Sequence, residues 1–160
     1  MKKKFRNYEA YALVTGAASG MGRIYSLRLA EKGYNVILVD INAKGLEETE
    51  SMIRAAIESS EKISVEHKAA FKVMPLVQDL SVMDAADQVF EKTEAAGCQV
   101  EVLVNNAGIT RDGLLMRMTD DDWDNVLAVK LKGTFNCTRA VSRPMMKNKA
   151  NPKIIAATTK

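Results

Sequence analysis

Histidine is almost missing from this 160-residue sequence, cysteine occurs twice and proline three times. With His67 alone and no Cys/His pair at ligand spacing, the chain has no basis for a structural metal site. Cys98 and Cys137 cannot form a disulfide framework, so a reducing cytoplasm is the expected compartment. Long apolar runs are lacking too: no stretch approaches the roughly 20 residues that cross a bilayer. Lys2, Lys3 and Lys4 form the only run of basic residues, and no apolar segment follows them. They read as a solvated N-terminus and not as a targeting signal. A net charge of +3 is too mild to argue for nucleic acid. What is present is ordinary for a soluble globular protein, with 47% hydrophobic and 27% charged residues. The length suits one domain, 1–160, able to bury a core.

Repeats and low-complexity tracts are absent, and the periodicity switches between strand and helix. Residues 10–14 read as a buried strand followed at once by a glycine loop. Ile24, Leu27 and Ala30, with Tyr34 beyond, mark a helix face that Gly33 stops. A second strand covers 36–39 and ends at Asp40. Leu46, Thr49, Ile53, Ala56 and Ile57 then make the next helical stripe. Residues 58–68 are polar and read only as a helix extension plus loop. A third strand at 71–77 carries Pro75 and belongs at an edge. Val82, Ala86, Val89 and Phe90 mark a helix that Gly97 stops, before a fourth strand at 100–104. Residues 119–149 read as largely helical, anchored by Trp123, Val126, Leu127, Phe135, Val141 and Met145, with a kink at Pro144. A fifth strand begins at 153–157. This alternation predicts an α/β fold, a doubly wound parallel sheet in the order 3-2-1-4-5. The expected ligand position is outside the carboxyl ends of the strands, beside the first.

The strongest motif is Thr15-Gly16-Ala17-Ala18-Ser19-Gly20-Met21-Gly22, set between a strand and a helix. A dinucleotide's pyrophosphate needs backbone N–H donors at a helix N-terminus and glycines that allow close approach. A plain tight turn uses glycine as well, but the flanking strand and helix, and an acid ending strand two, favour the dinucleotide. That acid, Asp40, is placed to accept hydrogen bonds from the adenosine ribose and to repel a 2′-phosphate. NAD(H) is therefore expected in preference to NADP(H). Alternatively, Asp40 caps the helix that begins near Asn42.

The Gly-x-x-x-Gly-x-Gly spacing resembles that of the short-chain dehydrogenase/reductase family, whose domain is of the Rossmann type. Asp79-Leu80, Asn105-Asn106-Ala107-Gly108 and the stretch from Trp123 to Phe135 resemble the same family in the same order. Residues 105–118 and 131–141 are most similar to its 3-oxoacyl-acyl-carrier-protein reductase group. The likeness covers nearly the whole chain; only 58–72 looks foreign, a longer link into strand three than the family usually has. The resemblance implies a cofactor site of Gly16, Ser19, Gly20, Met21 and Gly22 at the pyrophosphate and Asp40 at the ribose. Asp79 and Leu80 would lie beside the adenine, and Asn106, Ala107 and Gly108 along the path to the nicotinamide. Taken alone, the Asn-Asn-Ala-Gly segment is also a good strand-terminating turn.

The family's catalytic group is an Asn, a Ser and a Tyr-x-x-x-Lys pair. Here Lys130 stands at the Asn position, either solvated or as a charge that blocks the site. Thr159, a bulkier hydroxyl, stands at the Ser position. All four tyrosines (Tyr8, Tyr11, Tyr25, Tyr34) precede residue 35, and no Tyr-x-x-x-Lys occurs. The fold is thus expected to be truncated after the fifth strand, with the C-terminal catalytic part absent. Two readings follow: part of an NAD(P)(H)-dependent reductase of 3-oxoacyl or similar ketone substrates, or a catalytically inactive dinucleotide-binding module. The resemblance also implies homotetramers, with their assembly in doubt for this chain. Arg143, Lys147, Lys149 and Lys153 either attract an acidic carrier protein or simply complement a helix terminus.

Overall fold

A computed structural model describes residues 10–147 and 152–157. Five parallel strands, β1 (Ala10–Thr15), β2 (Asn35–Asp40), β3 (Val73–Val77), β4 (Gln99–Asn105) and β5 (Lys153–Ala156), form one sheet in the order β3-β2-β1-β4-β5. Among the described residues six α-helices accompany them: α1 (Gly20–Glu31), α2 (Ala43–Ser59), α3 (Val65–Ala70), α4 (Ala85–Ala95), α5 (Asp120–Leu127) and α6 (Gly133–Lys147). The expected doubly wound order is the observed one. Every residue of β1 is buried, because helices cover both faces of a central parallel strand.

Alternation along β1 and β2 divides the core into two layers. Ala12, Val14, Val36 and Leu38 meet Leu46, Ile53 and Ile57 of α2 on one face. On the other, Tyr11, Leu13, Ile37 and Val39 meet Val89 and Phe90 of α4 and Val141 and Met145 of α6. The β1–β4 register passes over Glu101, so Val100 and Leu103 share this second face despite their odd separation. Pro75 sits in β3, which pairs only with β2 among the described strands, the edge position that a missing N–H tolerates.

Several expectations about individual elements need correction. The buried stripe of α1 is Gly22, Ser26 and Ala30, whereas Ile24 is exposed. Small residues four apart let this helix lie close to the sheet, and the Ser26 hydroxyl is absorbed by the Gly22 carbonyl (2.8 Å). Val82 lies before α4 and is exposed. The third strand begins at Val73, two residues late; Phe71 instead closes α3 and enters the core. Residues 58–68, expected as helix extension plus loop, run into α3, which is capped by Ser64 and anchored by buried His67. Of the anchors expected in 119–149, Val141 and Met145 are core, but Trp123, Leu127 and Phe135 are exposed. A π-helical turn, Ala128–Lys132, interrupts that stretch and rotates α6 out of phase with α5. Pro144 lies within α6, which continues to Lys147. Tyr8, Lys149 and Thr159 lie outside the described residues.

Candidate functional site

The carboxyl ends of β1, β2 and β4 open onto a cleft of about 370 Å³. Gly16, Ser19, Gly20 and Met21 line it from the β1–α1 connection, Asp40 from the end of β2, and Leu80, Asn106, Ala107 and Gly108 from the segments after β3 and β4. Nine of the eleven expected cofactor residues therefore converge at the switch point beside β1. Gly22 and Asp79 do not line the cleft. Gly22 is buried beneath it, where a Cβ would collide with the Gly16 carbonyl. Asp79 is exposed, its carboxylate accepting from the Ser81 amide (2.9 Å) and hydroxyl (2.7 Å). Val39, Ile41, Gln78 and Ile109 complete the lining and were not expected. Adjacency to Asp40, Asp79 and Gly108 is their only sequence signal.

Local geometry explains the loop. Gly16 and Gly20 adopt positive φ (66° and 52°), which L side chains rarely accept. At Gly16 space is short as well, since a Cβ would meet Asn106 Nδ2 at 2.9 Å. At Gly20 a Cβ would meet nothing within 4 Å. Neither α1 nor α4 has a side-chain cap, but α4 carries Asp87 in its first turn and α1 has no acid there. Asn42 caps α2 by accepting from the Gly45 amide, and Thr119 and Asp122 form a capping box on α5. Ser19 makes no side-chain cap bond, and no acid occupies the first turn of α1. First-turn amides without a side-chain acceptor, reinforced by the helix dipole, favour an anion.

Asp40 does not cap α2; Asn42 does. The carboxylate instead accepts from the Ala18 amide at Oδ2 (3.1 Å) and from the Asn42 amide at Oδ1 (3.0 Å). Each oxygen keeps acceptor capacity for a hydroxyl donor. Across the cleft, Thr15 Oγ1 accepts from the Asn106 and Ala107 amides (both 3.0 Å) and donates to the Val104 carbonyl (3.3 Å). Asn106 Nδ2 donates to the carbonyls of Thr15 (3.1 Å) and Gly16 (3.3 Å). Its Oδ1 is buried and has no hydrogen-bond partner among the described residues.

Lys130 is half-buried within the π-helical turn and is not among the residues lining the cleft; its carbonyl accepts from the Thr134 hydroxyl (2.6 Å). Tyr11 lies at the amino end of β1, away from the cleft. Burial, then the hydrogen bond and charge of Cys98, push its hydroxyl up to about 12. That shift is opposite to the one an acid–base catalyst at neutral pH requires.

Residues 10–159 match the sequence profile of the short chain dehydrogenase family. A 3-oxoacyl-[acyl-carrier-protein] reductase of Thermotoga maritima is 40% identical over 137 residues, 86% of this chain and 50% of that protein. The (2S)-[(R)-hydroxy(phenyl)methyl]succinyl-CoA dehydrogenase subunit BbsD of Thauera aromatica is 38% identical over 138 residues, with the same coverage. A solved metagenomic short-chain oxidoreductase in complex with NADP superimposes with a TM-score of 0.78 at 30% identity, over 92% of this chain and 61% of that one. The chain spans about half the length of the curated relatives it matches. Fold, motif order and sequence agree: the chain belongs to the short-chain dehydrogenase family of oxidoreductases.

Proposed function

We propose that the cleft holds a nicotinamide dinucleotide, NAD(H) in preference to NADP(H), for reduction of a 3-oxoacyl thioester on a carrier protein or of a similar ketone. The observation that carries this reading is the convergence of the uncapped α1 N-terminus, Asp40 and Asn106–Gly108 on one cleft. The residues present suit such a group. The open direction at Gly20 leaves room for a pyrophosphate over the amides of Ser19, Gly20 and Met21. Gly16 and Gly22 keep the loop close to the sheet. Asp40 accepts from the ribose hydroxyls and repels a 2′-phosphate. Leu80 flanks the adenine, and Asp79, through its hold on Ser81, shapes the segment that carries Leu80. Asn106, Ala107 and Gly108 border the way to the nicotinamide, with the Asn106 Oδ1 acceptor at hand. When bound, the dinucleotide supplies hydride transfer.

A second reading concerns the 160 residues by themselves. Lys130 replaces the family's Asn, Thr159 its Ser, and the sequence contains no Tyr-x-x-x-Lys. No side chain of this chain is thereby assigned to hand a proton to a substrate oxygen. The chain as given binds the dinucleotide without turning over a ketone. Titration calorimetry with NADH and NADPH, and absorbance at 340 nm with an acetoacetyl thioester, test both readings. We expect NADH to bind more tightly by on the order of 2 kcal/mol, Asp40→Ala to erase that difference, and absorbance to stay constant. Equal affinities in the unmodified chain would overturn the role of Asp40; turnover lost in Gly20→Trp would overturn the inactive reading.

A further inference from the structure

Arg23, one residue beyond the glycine motif, reaches back from α1 to the loop that precedes it. Its Nη2 donates to the Ala18 carbonyl (2.6 Å) and to the Glu48 carboxylate (3.1 Å). Its Nε donates to Thr49 Oγ1 (2.9 Å) on α2. Thr49 is fully buried, and its hydroxyl stands 2.9 Å from both the Ala17 and the Gly45 carbonyls. One proton serves these two acceptors while a lone pair accepts from Arg23. An independent feature of α2 serves the same contact. A Cβ on Gly45 would lie 2.7 Å from Ala18 Cβ and 2.9 Å from the Ala18 carbonyl, so the helix is hollowed where the loop seats. The Ala17 carbonyl is thus held by Thr49 of α2 and the Ala18 carbonyl by Arg23 of α1, itself bonded to Thr49, and the Ala18 amide is left aimed at Asp40 Oδ2 (3.1 Å).

We propose that Arg23 and Thr49 are positioning residues of the nucleotide site, which touch no cofactor but hold the Ala17–Ala18 peptides so that the Ala18 amide fixes the Asp40 carboxylate. This rests on the nucleotide reading of the cleft. It assigns the discrimination between an adenosine ribose and its 2′-phosphate to α2 as well as to Asp40. A clamp that merely pinned two helices together would weaken NADH and NADPH alike. A clamp acting through Asp40 narrows the preference between them.

Calorimetry on Thr49→Val, Thr49→Ser and Arg23→Lys, with unfolding followed by circular dichroism, separates these cases. Lysine keeps the charge facing Glu48 but lacks the planar fork that sets Nε on Thr49 and Nη2 on Ala18. Loss of a hydrogen bond to a charged group predicts about tenfold weaker NADH binding in Thr49→Val and Arg23→Lys. NADPH should change less than threefold, and Thr49→Ser should restore most of the affinity. Adding Asp40→Ala to Thr49→Val should weaken NADH by a smaller factor than Asp40→Ala does in the unmodified chain. Unchanged NADH binding in a folded Thr49→Val or Arg23→Lys, or equal losses for both nucleotides, would overturn the inference alone. An unmodified chain that binds neither nucleotide would overturn the nucleotide site itself.

Discussion

Thr15 shows how much of the cleft depends on single side chains that never face it. Its hydroxyl is buried and joins three backbone groups of the β4 exit, so the β1 and β4 ends cannot move independently. Thr15→Val keeps the shape and removes the hydroxyl, leaving the Asn106 and Ala107 amides without their acceptor. Stability should fall by about 1–3 kcal/mol, read as a lower urea midpoint with an unchanged slope. A midpoint equal to that of the unmodified chain would show that water satisfies these amides. The sequence made Gly16–Gly22, Asp40 and Asn106–Gly108 legible because each has a local signature: glycine spacing, an acid ending a strand, a turn after one. It left Arg23 and Gly45 unmarked, and Thr49 was only one letter in a helical stripe. Their roles arise from partners more than twenty residues apart, which periodicity does not encode.

Among the elements, those with regular apolar spacing were the most readable. β1, β2 and β4 lie within one residue of their expected ends, since buried parallel strands are continuous apolar runs. Helices whose buried face is built from small residues were misjudged. Glycine, serine and alanine in α1, and Gly133, Asn136 and Cys137 in α6, carry little hydrophobic signal. The π-helical turn also escaped notice, because a single added residue per turn changes no composition. In α3 the polar sequence hid a buried histidine beneath Phe71, with ring centroids 6.4 Å apart. Burial holds the His67 imidazole below its ordinary value near 6.5. Below that pH the unfolded chain binds a proton that the folded chain resists, so stability falls as pH drops from about 6.5 towards the lowered value. Urea unfolding at pH 7.5 and 5.5 should show this loss in the unmodified chain and a smaller one in His67→Leu. The same loss in both would place the sensitivity elsewhere.

For the whole molecule, strand order follows from alternation and right-handed crossovers, and that order alone places the cleft beside β1. Two layers of core, one under α1 and α2 and one under α4 and α6, make the sheet a rigid platform. The four segments that line the cleft project from it, far apart in sequence and adjacent in space. The central claim is that these segments form one nucleotide site. Hydrogen–deuterium exchange with and without NADH reads that claim segment by segment. The account predicts slowed exchange in 16–23, 40–42 and 106–109 together, with no change in α3. Protection confined to one of these segments, or strongest at α3 or the β5 edge, would contradict it.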